Sequence, residues 1–219
     1  MSETAINWNP RFIGNAGERF FCMQMSGAGA PRAHILFIPP FGEEMNRCRS
    51  LVAGQSRDFA AAGFAVTLLD FCGTGDSDGE LSEATLSAWH SNIEQMLGLL
   101  RSEADVPVIF WGMRLGALIA LDYIALKKPD VQQIILWQPV TGGKLYVTQV
   151  LRQRVASLMV KELPPETTKE IRQRLADGEQ VEVAGYTLGG ALLDDIERID
   201  LGQMSELCSG KIHWFEHVI

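Results

Sequence analysis

The segment VIFWGMRLGALIAL, from Val108 to Leu121, has the pattern of a buried strand that turns at once into a helix. Four apolar residues come first, Gly112 and Gly116 then enclose three residues, and a run rich in Ala and Leu follows. Glycines at both ends of so short a turn allow the backbone to approach its neighbours closely. The sequence therefore predicts that Arg114 lies at the tip of a sharp strand-to-helix turn.

Strand and helix patterns alternate on both sides of this turn. The strand patterns are Arg19–Met25, Ala33–Phe41, Phe64–Phe71, Val106–Gly112 and Val131–Val140, and the helical patterns between them are Met45–Ala62, Thr85–Ser102 and Arg114–Lys127. Near-continuous apolar strands are typical of parallel sheets that are covered on both faces. The alternation predicts an α/β fold with a mostly parallel central sheet flanked by helices.

The alternation stops after Val140. The next segments are two helical patterns, a short hairpin-like stretch and a last short helix: Leu145–Lys161, Glu166–Ala176, QVEVAGYTLGG and Ala191–Arg198. A further strand pattern, KIHWFEHVI, covers Lys211–Ile219. We therefore expect a single domain over residues 1–219 with a helical cap inserted at about residues 141–210, at the carboxyl edge of the sheet where α/β folds bind ligands.

Composition limits the partners. The chain has 219 residues and a formal net charge of −8, which argues against a nucleic acid or an anionic membrane as the main partner, because both require clustered Lys and Arg. Its apolar runs are too short to span a bilayer, so we expect no membrane insertion. The start, MSETAINWNP, has no leader pattern, and the 4 cysteines are scattered. A reduced, cytoplasmic protein is expected.

Four motifs fall in the order seen in α/β hydrolases, which this sequence resembles. They are IPPFGEE, DFCGTGDSDG, GMRLGA and LWQPV. Two longer runs, ILWQPVTGGKLYVTQVLR and EVAGYTLGGALLDDIERIDL, are similar to the hydrolase-like proteins associated with the bacterial exosortase A system. The resemblance implies a bacterial protein connected with exopolysaccharide production and surface-protein sorting.

The resemblance also implies where the site lies. GMRLGA matches the elbow that presents the nucleophile, and IPPFGEE matches the loop that completes the oxyanion hole. The expected elbow residues are Gly112, Met113, Arg114, Leu115 and Gly116, the expected loop residues are Phe41, Gly42, Glu43 and Glu44, and the expected cap-side residues are Gln138, Tyr146 and Gln149. We expect no cofactor.

Arg114 occupies the elbow position where a hydrolase has its nucleophilic serine. A guanidinium stays protonated and only donates hydrogen bonds, so it cannot attack a carbonyl. The family pattern places the catalytic histidine one strand beyond KIHWFEHVI, so we expect the triad histidine to be missing as well, and the catalytic residues remain unassigned. Glu216 lies near the expected position of the triad acid.

Two functions remain open. One is an ester or acyl hydrolase that uses a polarised water or substrate-assisted attack. The other is a pseudoenzyme that binds a small ester, carboxylate or phosphate, or that acts as a scaffold beside a paralogous hydrolase or in a homodimer. A cation at a helix N-terminus is unfavourable without an anion. The resemblance implies that the loop carrying Glu43 and Glu44 lies against the elbow, so we predict a salt bridge from Arg114 to one of these two residues.

The segment His213–His217 matches the H-x-x-E-H pattern of some zinc peptidases. That pattern needs a helix to bring both histidines together, whereas on a strand four residues span about 13 Å. The segment is predicted to be a strand, so no metal is expected there.

Overall fold

The computed structural model describes residues 5–204 and 210–217. Its strands in chain order are β1 (Asn7–Ile13), β2 (Phe20–Ser26), β3 (His34–Ile38), β4 (Ala65–Leu69), β5 (Val108–Met113), β6 (Gln133–Trp137), β7 (Val181–Val183), β8 (Tyr186–Leu188) and β9 (Lys211–Phe215). Seven of them form one sheet in the order β1-β2-β4-β3-β5-β6-β9, and β7 pairs with β8 in a separate hairpin. β2 is antiparallel to both of its neighbours, β1 and β4. The remaining neighbouring pairs, from β4 through β3, β5 and β6 to β9, are parallel. The predicted fold class is confirmed.

The helices in chain order are α1 (Glu43–Ala61), α2 (Leu86–Glu103), α3 (Leu115–Lys127), α4 (Gly143–Val160), α5 (Thr168–Ala176) and α6 (Gly190–Glu197). Local capping explains several of their ends. The Thr85 hydroxyl accepts the Ala88 amide at the start of α2, and Thr167 and Glu170 form a reciprocal capping box at the start of α5. Gly63, at φ 88°, follows the end of α1 in the conformation that favours glycine.

The sheet has a separate apolar core on each face. Leu36, Phe110 and Leu136 point to the face that is packed against α2 and α3. Phe37 and Trp111 point to the opposite face, together with α1. α1 packs against β2 and β4. The face of β5, β6 and β9 beside α1 consequently forms an open apolar groove.

The segment between β6 and β9, which we call the cap, contains α4, α5, the β7–β8 hairpin and α6. Apolar side chains of all these elements join the core that includes α2 and α3. Two ion pairs bind its elements together, since Glu166 accepts from Arg154 and Arg174 at 2.5 Å each. The Arg154 hydrogen bond lowers the pKa of Glu166. In the described part of the chain, no helix is both long and apolar enough to cross a membrane.

The structure contains one strand that the sequence does not predict, and several predicted strands are longer than the observed ones. Val131–Val140 contains β6 (Gln133–Trp137), and Lys211–Ile219 contains β9 (Lys211–Phe215), with residues 218 and 219 outside the described part of the chain. β1 is absent from the predicted elements, because NWNPRFI is mostly exposed and lacks an apolar alternation. The pattern Ala33–Phe41 is too long, since β3 ends at Ile38 where Pro39 and Pro40 remove the backbone donors that a ladder needs. The predicted strand at Arg19–Met25 is present as β2, which pairs antiparallel with β4, and the predicted hairpin in QVEVAGYTLGG is present as well.

Candidate functional site

Arg114 lies at the tip of the turn between β5 and α3, as the sequence predicts. Its backbone has φ 53° and ψ −121°, a conformation that is costly for any residue with a side chain. Surrounding backbone groups hold it in place: its N–H donates to the Trp137 carbonyl at 3.0 Å, and its carbonyl accepts from Val140 at 3.2 Å. The fold therefore maintains a strained elbow.

The two elbow glycines are required because backbone atoms lie where a side chain would be. A Cβ on Gly116 would lie 2.2 Å from the Ile38 carbonyl oxygen and 2.3 Å from that of Pro39. A Cβ on Gly112 would lie 2.5 Å from the Cα of Ala117. The close approach at Gly116 brings the end of β3, and the loop that follows it, against the elbow.

The Arg114 side chain forms the predicted ion pair, and its partner is Glu44. Arg114 Nε donates to Glu44 Oε1 at 3.1 Å, and Arg114 Nη1 approaches the Gln138 carbonyl oxygen at 3.4 Å. Glu43 instead pairs with Arg47 at 3.4 Å. About one third of each side chain in the Arg114–Glu44 pair is exposed, so solvent and small solutes can reach it.

Tyr146 completes this group from the cap. Its hydroxyl donates to Glu44 Oε2 at 3.1 Å, so the carboxylate is shared between Arg114 and Tyr146. Burial, reinforced by the charge of Glu44, raises the pKa of Tyr146 far above its usual value. Tyr146 therefore remains a neutral donor, and it links the first helix of the cap to the loop after β3.

That loop retains the backbone features of an oxyanion hole. Gly42 precedes α1 with φ 57° and ψ −130°, close to the conformation of Arg114. Phe41 beside it is buried. Leu115 is the first residue of α3, and amides at that position point out of the helix without an intrahelical acceptor. The two turns together can direct N–H groups at a ligand oxygen.

Two cavities meet this group. A cavity of about 430 Å³ lies between the loop and the cap, with Glu44 and Tyr146 in its wall. The apolar groove beside α1 encloses about 960 Å³, and Arg114 lies at its rim with Cys48 and Gln138. Burial is the main effect that raises the pKa of the Cys48 thiol, and the Glu44 charge adds to it. Cys48 is therefore held as a thiol rather than as a nucleophilic thiolate.

The remaining predicted site residues occupy different environments. Met113 and Leu115 are both buried. Leu115 supports the elbow from within the core, whereas Met113 forms part of the wall of the apolar groove beside α1. Gln138 contributes its carbonyl to Arg114 and not its side-chain amide. Gln149 is exposed and lines neither cavity, whereas Gln153, one turn further along α4, does line the smaller one. Gln149 does not face either cavity because α4 turns that position outward.

Tyr186, like Gln153, lies at the site but is not among the residues predicted from the sequence. Its ring lines the smaller cavity, 3.8 Å from the position of a Cβ on Gly42, and its hydroxyl accepts from Asn46 at 2.6 Å. The hairpin that carries Tyr186 is recognisable, but no local signal indicates that it packs over the loop after β3.

The histidines do not form a catalytic base at the elbow. His34 is the first residue of β3, so it lies at the amino end of that strand, whereas the elbow follows the carboxyl end of β5. His90 of α2 contacts Asp122 at 3.2 Å. His213 lies on β9, as predicted, and contacts Gln133 at 3.3 Å. Within residues 5–204 and 210–217, no histidine hydrogen-bonds to Arg114 or Glu44, and no three His, Cys, Asp or Glu side chains are grouped to bind a metal. Glu216 accepts from Trp214 at 3.1 Å.

Comparison with known families agrees with this geometry. Residues 29–215 match the family described as serine aminopeptidase, S33 (Hydrolase_4). The chain belongs to this α/β-hydrolase family. Membership accounts for the strand order, the elbow and the loop after β3, while the side chains at the elbow are a property of this chain.

Relatives support the same assignment. The palmitoyl-protein thioesterase ABHD10, mitochondrial, from Mus musculus is 30% identical over 140 residues, which are 64% of this chain and 41% of that protein. The human protein of the same name is 28% identical over 140 residues, or 64% of this chain and 40% of that protein. The chain thus spans about two fifths of the length of these curated relatives.

Solved structures show the same fold. A ferulic acid complex of Est1E from Butyrivibrio proteoclasticus has a TM-score of 0.66 at 16% identity, covering 92% of this chain and 76% of that one. Mouse alpha/beta hydrolase domain-containing protein 10 has a TM-score of 0.60 at 21% identity, covering 93% and 76%. At these identities, the likeness concerns the fold alone.

Proposed function

We propose that this chain is an anion-binding member of the α/β-hydrolase family that does not use a nucleophile at its elbow. The observation that carries the proposal is the Arg114–Glu44 ion pair at the N-terminus of α3. Arg114 stands where the fold presents a nucleophilic serine, and it offers only hydrogen-bond donors. The elbow therefore recognises negative charge and does not attack a carbonyl.

The proposed ligand is a small carboxylate or phosphate, or an ester that carries one. Glu44 shows which chemistry the site accepts, since its carboxylate lies against a guanidinium close to the first amides of a helix. A ligand anion takes the place of Glu44 on Arg114. The released carboxylate keeps its hydrogen bond from Tyr146, which limits the cost of the exchange.

A second candidate is an ester or acyl hydrolase that works without an elbow serine. The strained elbow and the Gly42 turn favour it, because both are the backbone parts of an oxyanion hole. The relative named as a palmitoyl-protein thioesterase belongs to the same reaction class. In this case Arg114 would bind the developing oxyanion or the substrate, and water would be the nucleophile.

The biological setting follows from the resemblance of the cap and β6 runs to the exosortase-associated proteins. We place the anion-binding chain in the bacterial cytoplasm, in a system that exports polysaccharide and sorts surface proteins. A paralogous hydrolase, or a second copy of this chain, is the expected protein partner.

Titration with small anions tests the proposal. Acetate, butyrate and inorganic phosphate are added to the wild type, Glu44→Gln and Arg114→Gln, with binding followed by calorimetry. We expect Glu44→Gln to bind at least about tenfold more tightly, since the internal competitor loses its charge while a side chain of equal size remains. Arg114→Gln should abolish binding.

Lys127→Gln is the matched control. Lys127 lies in the last turn of α3, is exposed and pairs with Glu94 at 3.4 Å, and it lines neither of the two cavities. Its removal should leave the affinity unchanged. Equal affinity in wild type and Arg114→Gln would contradict the proposal, as would a loss of affinity confined to Lys127→Gln.

A further inference from the structure

The outer face of α4 carries large apolar side chains that the rest of the protein leaves uncovered. Leu145 near its start is 64% exposed, and Met159 and Val160 at its end are 71% and 84% exposed. Exposed positions recur every three or four residues along the helix, as expected for one helical face. We call this face the cap stripe, and its residues are Leu145, Gln149, Arg152, Ala156, Met159 and Val160.

The surface at the cap stripe is also basic, in a chain whose net charge is −8, because Arg152 belongs to the stripe while Lys144 and Lys161 lie beside its two ends. No Asp or Glu occurs between Gly143 and Lys161. Arg154 is neutralised by Glu166, whereas Lys144, Arg152 and Lys161 are exposed and have no ion pair within the described residues. The net charge argues against an anionic membrane as a partner, but that count averages over the chain and conceals this local excess of positive charge.

The two faces of α4 have different roles. Tyr146 and Val150 lie on the inner face, where both line the cavity above the loop after β3. The cap stripe points away from that cavity, so contact with a large partner would leave the site open. From Leu145 to Met159 the stripe is about 21 Å long at the rise of an α-helix.

We propose that the cap stripe docks on the surface of an anionic phospholipid bilayer, with α4 lying in the plane of the interface. Apolar side chains at both ends and basic side chains beside them suit a helix that lies on such a surface. A protein partner is favoured less, because protein interfaces concentrate their apolar anchors at the centre of a patch. The proposal does not depend on the function of the elbow.

The negative charge elsewhere on the chain determines the orientation. The rest of the chain is acidic on balance, so anionic headgroups disfavour its approach by other surfaces and favour approach through the cap stripe. The contact is peripheral and reversible, and it is screened by salt because exposed charges contribute much of the attraction.

Vesicle flotation of the full chain tests the proposal. We expect the wild type to float with vesicles of phosphatidylcholine mixed with phosphatidylglycerol, and not with vesicles of phosphatidylcholine alone. Lys144→Gln, Arg152→Gln and Lys161→Gln combined should lower the affinity for mixed vesicles at least about tenfold. Met159→Ser combined with Val160→Thr should also lower it.

The matched control combines Leu126→Ser with Lys128→Gln at the end of α3. Leu126 is 65% exposed and Lys128 is exposed, so the control removes the same kinds of side chain from another surface. It should bind as the wild type does. Equal binding by the stripe variants, equal loss in the control or no flotation of the wild type at low salt would overturn the proposal. Binding to immobilised polyglutamate without any flotation would do so in favour of an acidic protein partner.

Discussion

The turn before α1 and the turn before α3 have nearly the same backbone but opposite side chains. Gly42 has φ 57° and ψ −130°, and Arg114 has φ 53° and ψ −121°. Both residues directly precede a helix at the carboxyl edge of the sheet. Glycine adopts this conformation without steric cost, whereas arginine does not.

The difference between glycine at one turn and arginine at the other indicates a different role for each turn. At Gly42 the loop only has to bring backbone groups into position, so a residue without a side chain serves. At Arg114 the strain is retained although glycine would remove it, which indicates that this position requires a side chain. The contact of that side chain with Glu44, which comes from the other turn, supports this explanation.

The largest effect is expected from Gly116→Ala, which would push the two turns apart. The added Cβ would meet two backbone oxygens of the loop at 2.2 and 2.3 Å, and neither can move without shifting β3. We expect a loss of more than about 3 kcal/mol in the free energy of unfolding, measured with urea, or no folded protein at all.

Gly98→Ala is the control for that substitution. Gly98 lies inside α2 and has no atom within 4 Å of the position that a Cβ would take, so alanine should stabilise the protein by up to about 1 kcal/mol. If Gly116→Ala and the wild type have the same urea midpoint of unfolding, the elbow does not pack closely against the end of β3 and the loop that follows it.

Gly42→Ala separates strain from crowding at the other turn. Its Cβ would have room, since the nearest atom belongs to Tyr186 at 3.8 Å, but φ 57° is unfavourable for alanine. We expect a loss of about 1–2 kcal/mol. Gly142→Ala also replaces an N-cap glycine, but it has open space and a φ of −146°, so it should cost only the loss of a good cap residue, about 0.5 kcal/mol, in the same urea measurement. Equal stability of the two variants would show that the Gly42 turn is not strained.

A smaller effect is expected when the strain at the elbow is relieved. Arg114→Gly and Arg114→Ala both remove the ion pair, but only glycine accepts φ 53° freely. The glycine variant should be more stable than the alanine variant by about 0.5–1 kcal/mol, after its greater freedom in the unfolded chain is included. Greater stability of the alanine variant would mean that the elbow relaxes once the side chain is gone.

The smallest effect concerns Tyr146 and appears only in alkali. Burial raises its pKa, so the fold favours the neutral phenol. The corresponding stability is complete below about pH 10, the ordinary pKa of tyrosine, and is lost as the pH rises beyond it. Urea unfolding of Tyr146→Phe should therefore depend less on pH in this range than that of the wild type. An unchanged dependence would show that Tyr146 ionises freely in the folded protein.

Much of the fold can be predicted from the sequence because buried parallel strands and amphipathic helices leave strong local patterns. The run at Val108 and the helix that follows it are examples. β1 leaves no such pattern, because an exposed edge strand of mixed composition is identified by its pairing with β2 and not by its own residues.

The site is predictable where a simple physical rule applies. A cation at a helix N-terminus needs an anion, and this rule, together with the resemblance that places the loop after β3 at the elbow, predicts a contact of Arg114 with Glu43 or Glu44. The structure shows that the partner is Glu44. The choice between Gln149 and Gln153 depends on how α4 is rotated, which is set by tertiary packing. The same is true of Tyr186, whose position depends on where the hairpin docks.

The most direct test of the central claim is turnover of an activated short-chain ester by purified wild type beside Arg114→Ala. We predict that both proteins release product no faster than buffer, because the elbow holds a cation where a nucleophile is needed. Turnover by the wild type that is lost in Arg114→Ala would contradict it, and would make Arg114 part of an unconventional active site.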